Sequence, residues 1–193
     1  MILKGCDNVQ KAVSVRTFLK VAILLSFISS FLILPTTVEA AVKTAPCTHS
    51  SLSPKVGKSG AAAGTTYINL MIINQSKSSC SLTGIPSAQT GFLSYSQTPF
   101  VPVGLPASKV SYQKRGGTVW LPPHATASVE FSISTASNYP AKKCIAKNVS
   151  MVRITFTSGN TLLHLLYPLS KVQVCTKIEN TFIAGVVLGT RFP

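Results

Sequence analysis

The sequence predicts an all-β domain, an antiparallel β-sandwich of seven or eight short strands. Three observations predict it. Apolar and polar residues alternate with a period of two in several stretches, and the alternation is cleanest over residues 125–133. Gly, Pro, Ser and Asn clusters interrupt these stretches at short, regular intervals. No stretch sustains a period near 3.6 with a cap at both ends, so no long helix is expected.

The first forty residues are set apart from the fold. Lys11, Arg16 and Lys20 precede VAILLSFISSFLIL, an uncharged run over residues 21–34. Pro35 ends the run, and Val38 and Ala40 stand at the −3 and −1 positions of a cleavage site before Ala41. This is the layout of a secretory signal peptide. A retained anchor needs roughly 20 apolar residues to cross a bilayer core, more than this run supplies. The expectation is a signal peptide over 1–40, one domain over 41–193, and a secreted, extracellular or wall-associated product. Cys47 follows Thr44-Ala45-Pro46, which lacks the Leu-x-small-Cys character of a lipoprotein site.

Within 41–193, residues 45–64 carry Pro46, Pro54, Gly57, Gly60 and Gly64 and read as an extended lead-in or bulge. Residues 65–73 then alternate, with Ile68, Leu70 and Ile72 opposed to Tyr67, Asn69 and Met71, as a half-buried strand does. Asn74-Gln75-Ser76-Lys77 supplies turn chemistry. Cys80 and Leu82 share one face of a short returning strand, and Thr83-Gly84-Ile85-Pro86 ends it. A brief strand is expected over 91–95. The proline-rich TPFVPVGLP, residues 98–106, is unsuited to a central strand and reads as a crossover between sheets or an exposed protein contact. Residues 118–121 form a strand before Pro122-Pro123. In 125–133, Ala125, Ala127, Val129, Phe131 and Ile133 face a core, while Thr126, Ser128, Glu130 and Ser132 face water. Residues 149–157 and 161–167 form a hairpin around Ser158-Gly159-Asn160. A last strand near 181–188 closes the domain.

Four cysteines follow residue 40: Cys47, Cys80, Cys144 and Cys175. An even count in an exported chain reads as disulfides. Four cysteines admit three pairings, and the sequence alone does not choose among them. Spacing favours Cys47–Cys80 with Cys144–Cys175, since each pair closes a loop of moderate length within its own half. Each such loop stabilises the fold by roughly 3.5 kcal/mol in chain-entropy terms. A zinc site is the sharper alternative, but the chain has neither C-x-x-C nor an H-x-x-x-H cluster.

The order of landmarks resembles a known family. Cys47, then GAAAGTTYINLMIINQSKSSCSLTGIP, TVWLPPHATASVEFSI, Cys144 and VQVCTKIENTFIAGVVLG resemble the family called domain of unknown function 4232, over about residues 47–190. Asn74, Cys80, Leu82, Gly84 and Pro86 carry its strongest motif. The resemblance implies an immunoglobulin-like sandwich, an exported protein of actinobacterial type and the two local disulfides; it implies no catalytic residues. This chain departs from it at Pro122-Pro123-His124, where members commonly show Pro-Gly.

The charge balance bears on partners. Beyond residue 40 there are fourteen Lys and Arg but only two acids, Glu130 and Glu179, which leaves a formal charge of +12. Such a surface attracts anionic polymers and lipid headgroups. Lys114 and Arg115, and Lys142, Lys143 and Lys147, are the clusters expected to bind anions, all in predicted loops. Export and the lack of aromatics among the lysines argue against nucleic acid. The two glutamates are read as solvated rather than as a catalytic pair, and no Asp is present beyond residue 40 to complete a Ser-His-Asp triad. His49, His124 and His164 are too scattered for a metal site, and His164, between Leu163 and Leu165, reads as a satisfied edge histidine. The chain is therefore expected to be a monomeric, non-catalytic binding or structural module without cofactor or metal. The alternatives are a protein adhesion module and, less favoured, an extracellular hydrolase.

Overall fold

A computed structural model describes residues 44–94, 100–110, 117–158 and 161–190, all within the unit Lys43–Pro193. The expected signal peptide over 1–40 and the pair Lys114 and Arg115 lie outside the described residues.

Strand alternation becomes two larger sheets and one small one. The strands are β1 (Leu52–Ala62), β2 (Thr65–Asn74), β3 (Cys80–Thr83), β4 (Ser87–Phe92), β5 (Val101–Pro102), β6 (Ser108–Lys109), β7 (Thr118–Leu121), β8 (Thr126–Ser134), β9 (Ala146–Ser158), β10 (Thr161–Cys175), β11 (Thr181–Ile183) and β12 (Val187–Leu188). The first sheet runs β1-β2-β8-β11-β6, with β12 also on β8; the second runs β10-β9-β4-β5; β3 pairs with β7 alone. Seven or eight strands was therefore too few. The extra ones are two- and three-residue pieces beside Pro or Gly, too short to show a period. Among the described residues helix is confined to short turns, of which α1 (Ala141–Cys144) is the α-helical one.

The apolar faces meet in one core. Leu70, Ile72, Val129 and Phe131 come from the first sheet, and Val152, Ile154, Phe156 and Leu165 from the second. β2 and β8 run antiparallel at the centre of the first sheet, from Thr65 opposite Ser134 to Ile73 opposite Thr126. The inward set of β8 is as expected, but its other face is not simply wet: Ser128 and Ser132 are buried. Register supplies the reason. Ser128 lies between Met71 and Val187, and Ser132 between Tyr67 and Phe182, so larger cross-strand neighbours cover a small side chain.

Several expectations are corrected by how the strands pair. The glycine-rich lead-in is itself an edge strand, β1, paired along β2 and turning through Ala63 and Gly64, both at positive φ. Its bulge between Val56 and Ser59, with Pro54, Lys55 and Lys58, is the equipment of an edge that resists further pairing. β3 does not return along β2 but pairs with β7. The brief strand expected over 91–95 is β4, which begins at Ser87. The sandwich is not wholly antiparallel, because β6 runs parallel to β11. The cause is the proline-rich stretch: β5 sits in the second sheet and β6 in the first, so the segment is the crossover between sheets. It is strapped to β4, with Val103 N donating to Thr90 O at 2.8 Å and Thr90 Oγ1 to Val103 O at 2.7 Å. Gly91 is required there, since a Cβ would stand 2.1 Å from Val101 O. The β9–β10 hairpin extends past Pro168, because a bulge between Pro168 and Val172 absorbs the missing N–H. The closing strand is split into β11 and β12.

Tyr167 is fully buried among these apolar residues, and its hydroxyl finds no hydrogen-bond partner among the described residues. Burial pushes the phenol's pKa well above the ordinary 10.0. The folded state thus holds a proton that the unfolded chain releases above pH 10, so stability falls as pH climbs past that value. Tyr167→Phe removes an unsatisfied polar group at almost no loss of volume. It is expected to raise stability by about 1 kcal/mol and to shrink the alkaline slope, both readable from urea melts at pH 8 and pH 11. Equal or lower stability in the variant at pH 8 contradicts the orphaned hydroxyl.

Candidate functional site

Both disulfides take the local pairing. Cys47–Cys80 and Cys144–Cys175 close with Cα–Cα distances of 4.8 and 4.5 Å. They serve opposite ends of the first sheet, as the register of β2 on β8 shows: one end carries Asn74, Thr126 and Leu52, the other Thr65 and Ser134.

At the Asn74 end, one buried amide organises the turn that precedes Cys80. Asn74 Nδ2 donates to Ser78 O, Leu121 O and Pro122 O at 2.9, 3.0 and 3.1 Å. Its Oδ1 accepts from Ser76 N at 3.0 Å and Ser76 Oγ at 2.8 Å. Its backbone completes the knot, accepting from His124 N and donating to Ala125 O. Ala125 N donates to Pro122 O, and His124 stands at φ 60°, a conformation that only glycine adopts at no steric cost. The Asn-to-Cys motif is therefore a structural latch. Cys47 N to Ser81 O, at 3.0 Å, ties the chain's entry to β3 beside the disulfide.

The opposite end gathers charge. α1 carries Lys142 and Lys143, Cys144 ends it, and Ile145 at φ 47° turns the chain into β9, which starts with Ala146 and Lys147. A four-residue helix does not stand alone. The disulfide fixes it to the end of β10, and Thr176 N donates to Cys144 O at 2.8 Å and Thr176 Oγ1 to Ile145 O at 3.0 Å. Asn180, buried, accepts from Cys175 N at 2.9 Å and donates to Ser134 O at 2.8 Å, which docks the same turn on β8. Lys142, Lys143 and Lys147 are all exposed. The clamp adds Lys177, exposed and next to Thr176, which sequence reasoning missed. Its signal was available: two residues past Cys175, it joins whatever cluster surrounds that cysteine's partner.

The acids sit apart from one another. Glu179 accepts a hydrogen bond from Ser108 Oγ beside this end. Glu130 faces Asn69 in mid-sheet, four residues from Ser134 along β8, or about 13 Å of strand. His164 lies opposite Thr155 on the outer face of the second sheet, its Nδ1 2.9 Å from Thr155 Oγ1. Also on that face, Arg153 stacks over the Phe100 ring at 4.6 Å. Among the described residues no three His, Cys, Asp or Glu side chains gather as a metal site.

The family model described as domain of unknown function (DUF4232) matches residues 47–176. The chain belongs to the DUF4232 family. The match runs from the first disulfide cysteine to the residue after the last, and it leaves β11 and β12 outside. A search of curated proteins returned no significant match. As a DUF4232 protein with two disulfides, the chain suits an oxidising compartment. No helix among the described residues is long and apolar enough to cross a membrane.

Proposed function

We propose that this DUF4232 chain is an exported, non-catalytic binding module of the cell envelope that recognises phosphate-bearing polymers or lipid headgroups. The observation that carries the reading is the cationic end, where the Cys144–Cys175 clamp holds Lys142, Lys143 and Lys147 beside Lys177. Exposed ammonium groups on a rigid mount offer several donors to a polyanion without ordering a long loop on binding. The low acid content leaves little to neutralise them: beyond residue 40 there are Glu130, in mid-sheet, and Glu179, engaged by Ser108. The segment 21–34 with Ala40–Ala41 acts in this reading as the cleaved leader that delivers the domain.

The test uses protein recovered from the medium or envelope of expressing cells, with an N-terminus at Ala41. Binding is followed to a glycerol-phosphate polymer and to vesicles containing phosphatidylglycerol, across a salt series. Wild type should bind more weakly as salt rises, because exposed charges are screened within about 10 Å at 0.1 M. The triple variant Lys142→Glu, Lys143→Glu and Lys147→Glu should lose about tenfold or more at low salt, while melting like wild type. Binding that ignores both salt and the triple variant sinks the proposal.

A further inference from the structure

The two sheets leave a groove where their bulged edges face each other. It has a volume of about 400 Å³, within the range of small-molecule sites. Ile68 and Leu169, both buried, line it together with Val56, Val172 and Pro168. Ser59, Thr66 and Ser170 complete its lining. The β1 bulge lies between Val56 and Ser59 and the β10 bulge between Pro168 and Val172, so both irregularities border this one groove. A bulge interrupts a ladder and bends its strand, and Pro168 has no N–H to offer. A peptide adding itself as another strand finds no continuous edge here.

A lysine stands beside the groove. Lys171, exposed, lies within the β10 bulge between the lining residues Ser170 and Val172, and β10 contains no Asp or Glu. The groove also lies toward the lysine end of the domain. Val172 pairs with Val149, and two residues along the same ladder Val174 pairs with Lys147, a step of about 7 Å. An apolar trough with Lys171 beside it and a cationic end one short step along the ladder is complementary to a molecule with a hydrocarbon tail and a negative head.

We infer that the groove between the β1 and β10 bulges receives a single acyl chain whose anionic head group lies against Lys171 and the neighbouring lysine end. The inference rests on the anion-binding reading above and names the ligand class as an anionic amphiphile rather than a bare polyanion. Tail burial supplies affinity without direction, and the lysines select the sign of the head.

The experiment titrates the exported protein with inorganic phosphate, hexyl phosphate and dodecyl phosphate, each below its micellar concentration, by calorimetry. Dodecyltrimethylammonium serves as the cationic control. Dodecyl phosphate should bind at least about tenfold more tightly than hexyl phosphate, since each buried methylene contributes, and the cationic amphiphile should bind much more weakly. Ser59→Trp and Ser170→Trp place a ring across the groove from exposed positions. Each should weaken dodecyl phosphate by about tenfold while leaving the glycerol-phosphate polymer unaffected. Affinity independent of chain length, or indifferent to both tryptophans in proteins that melt like wild type, overturns the inference. Salt-dependent polymer binding with no chain-length effect would leave the anion-binding reading standing and remove only the acyl site. Equal binding of the cationic amphiphile overturns the assigned head group.

Discussion

Asn74→Asp is expected to destabilise the domain by about 3–5 kcal/mol at pH 7, although the two side chains have nearly the same shape. The Nδ2 group donates to three carbonyls, of Ser78, Leu121 and Pro122, at a site with no solvent exposure. An aspartate puts an oxygen in its place, facing three acceptors, and buries a charge where the side chain's partners among the described residues are carbonyls and Ser76. The sign of the pH dependence follows. Burial among carbonyls raises the carboxyl's folded pKa above its unfolded value, so the folded state binds the extra proton and stability recovers as pH falls toward 4. Urea melts of the variant at pH 7 and pH 4 read this directly. A variant as stable as wild type at pH 7 would mean that the latch contributes little. One whose deficit grows in acid would mean that the carboxylate finds compensation.

The second large effect is opening the Cys144–Cys175 disulfide. With a sequence separation of 31, the bridge contributes about 3.5 kcal/mol in chain-entropy terms. Cys144→Ala with Cys175→Ala should lower stability by about that amount. The same change at Cys47 and Cys80, with a separation of 33, should cost a similar amount. The two variants should part company in binding. Releasing Cys144 frees α1, which is too short to hold its own conformation, and disperses Lys142 and Lys143 away from Lys147, which stays in the β9–β10 ladder, without removing any of them. Polymer affinity should therefore drop several-fold in the Cys144/Cys175 variant and stay near wild type in the Cys47/Cys80 variant. The measurement is made below both melting transitions, with near-ultraviolet circular dichroism confirming folded protein. Equal affinities in the two variants would show that the lysine end does not depend on its clamp.

Much of the fold was legible because β-structure writes its faces into the sequence with a period of two. Ile68, Leu70 and Ile72, and likewise Val129, Phe131 and Ile133, are core residues in the structure as the alternation requires. The candidate site was half legible. Lys142, Lys143 and Lys147 stand out as a cluster, but Lys177 is distant in sequence and joins them only through Cys175. Lys55, Lys58 and Lys171 gave no sequence signal, since a lysine inside a strand pattern reads as solvated. The groove between the bulges was invisible for a further reason. A bulge is defined against a partner strand, and neither β1 nor β10 shows its irregularity until its neighbour is in place.

The sequence by itself determined the all-β character, the inward faces of β2 and β8, and the special place of Asn74 before Cys80. All are local properties, fixed by side-chain period, turn chemistry and composition within about ten residues. Only the tertiary structure decided which of the three cysteine pairings forms, that β3 joins β7 rather than β2, that the glycine-rich lead-in is an edge strand, and that Ser128 and Ser132 are covered. The cysteine pairing, the place of β3 and the cover over the two serines depend on which distant segment becomes a neighbour. The period of two names the face a residue presents, whereas the neighbour is chosen by burial summed over the whole core.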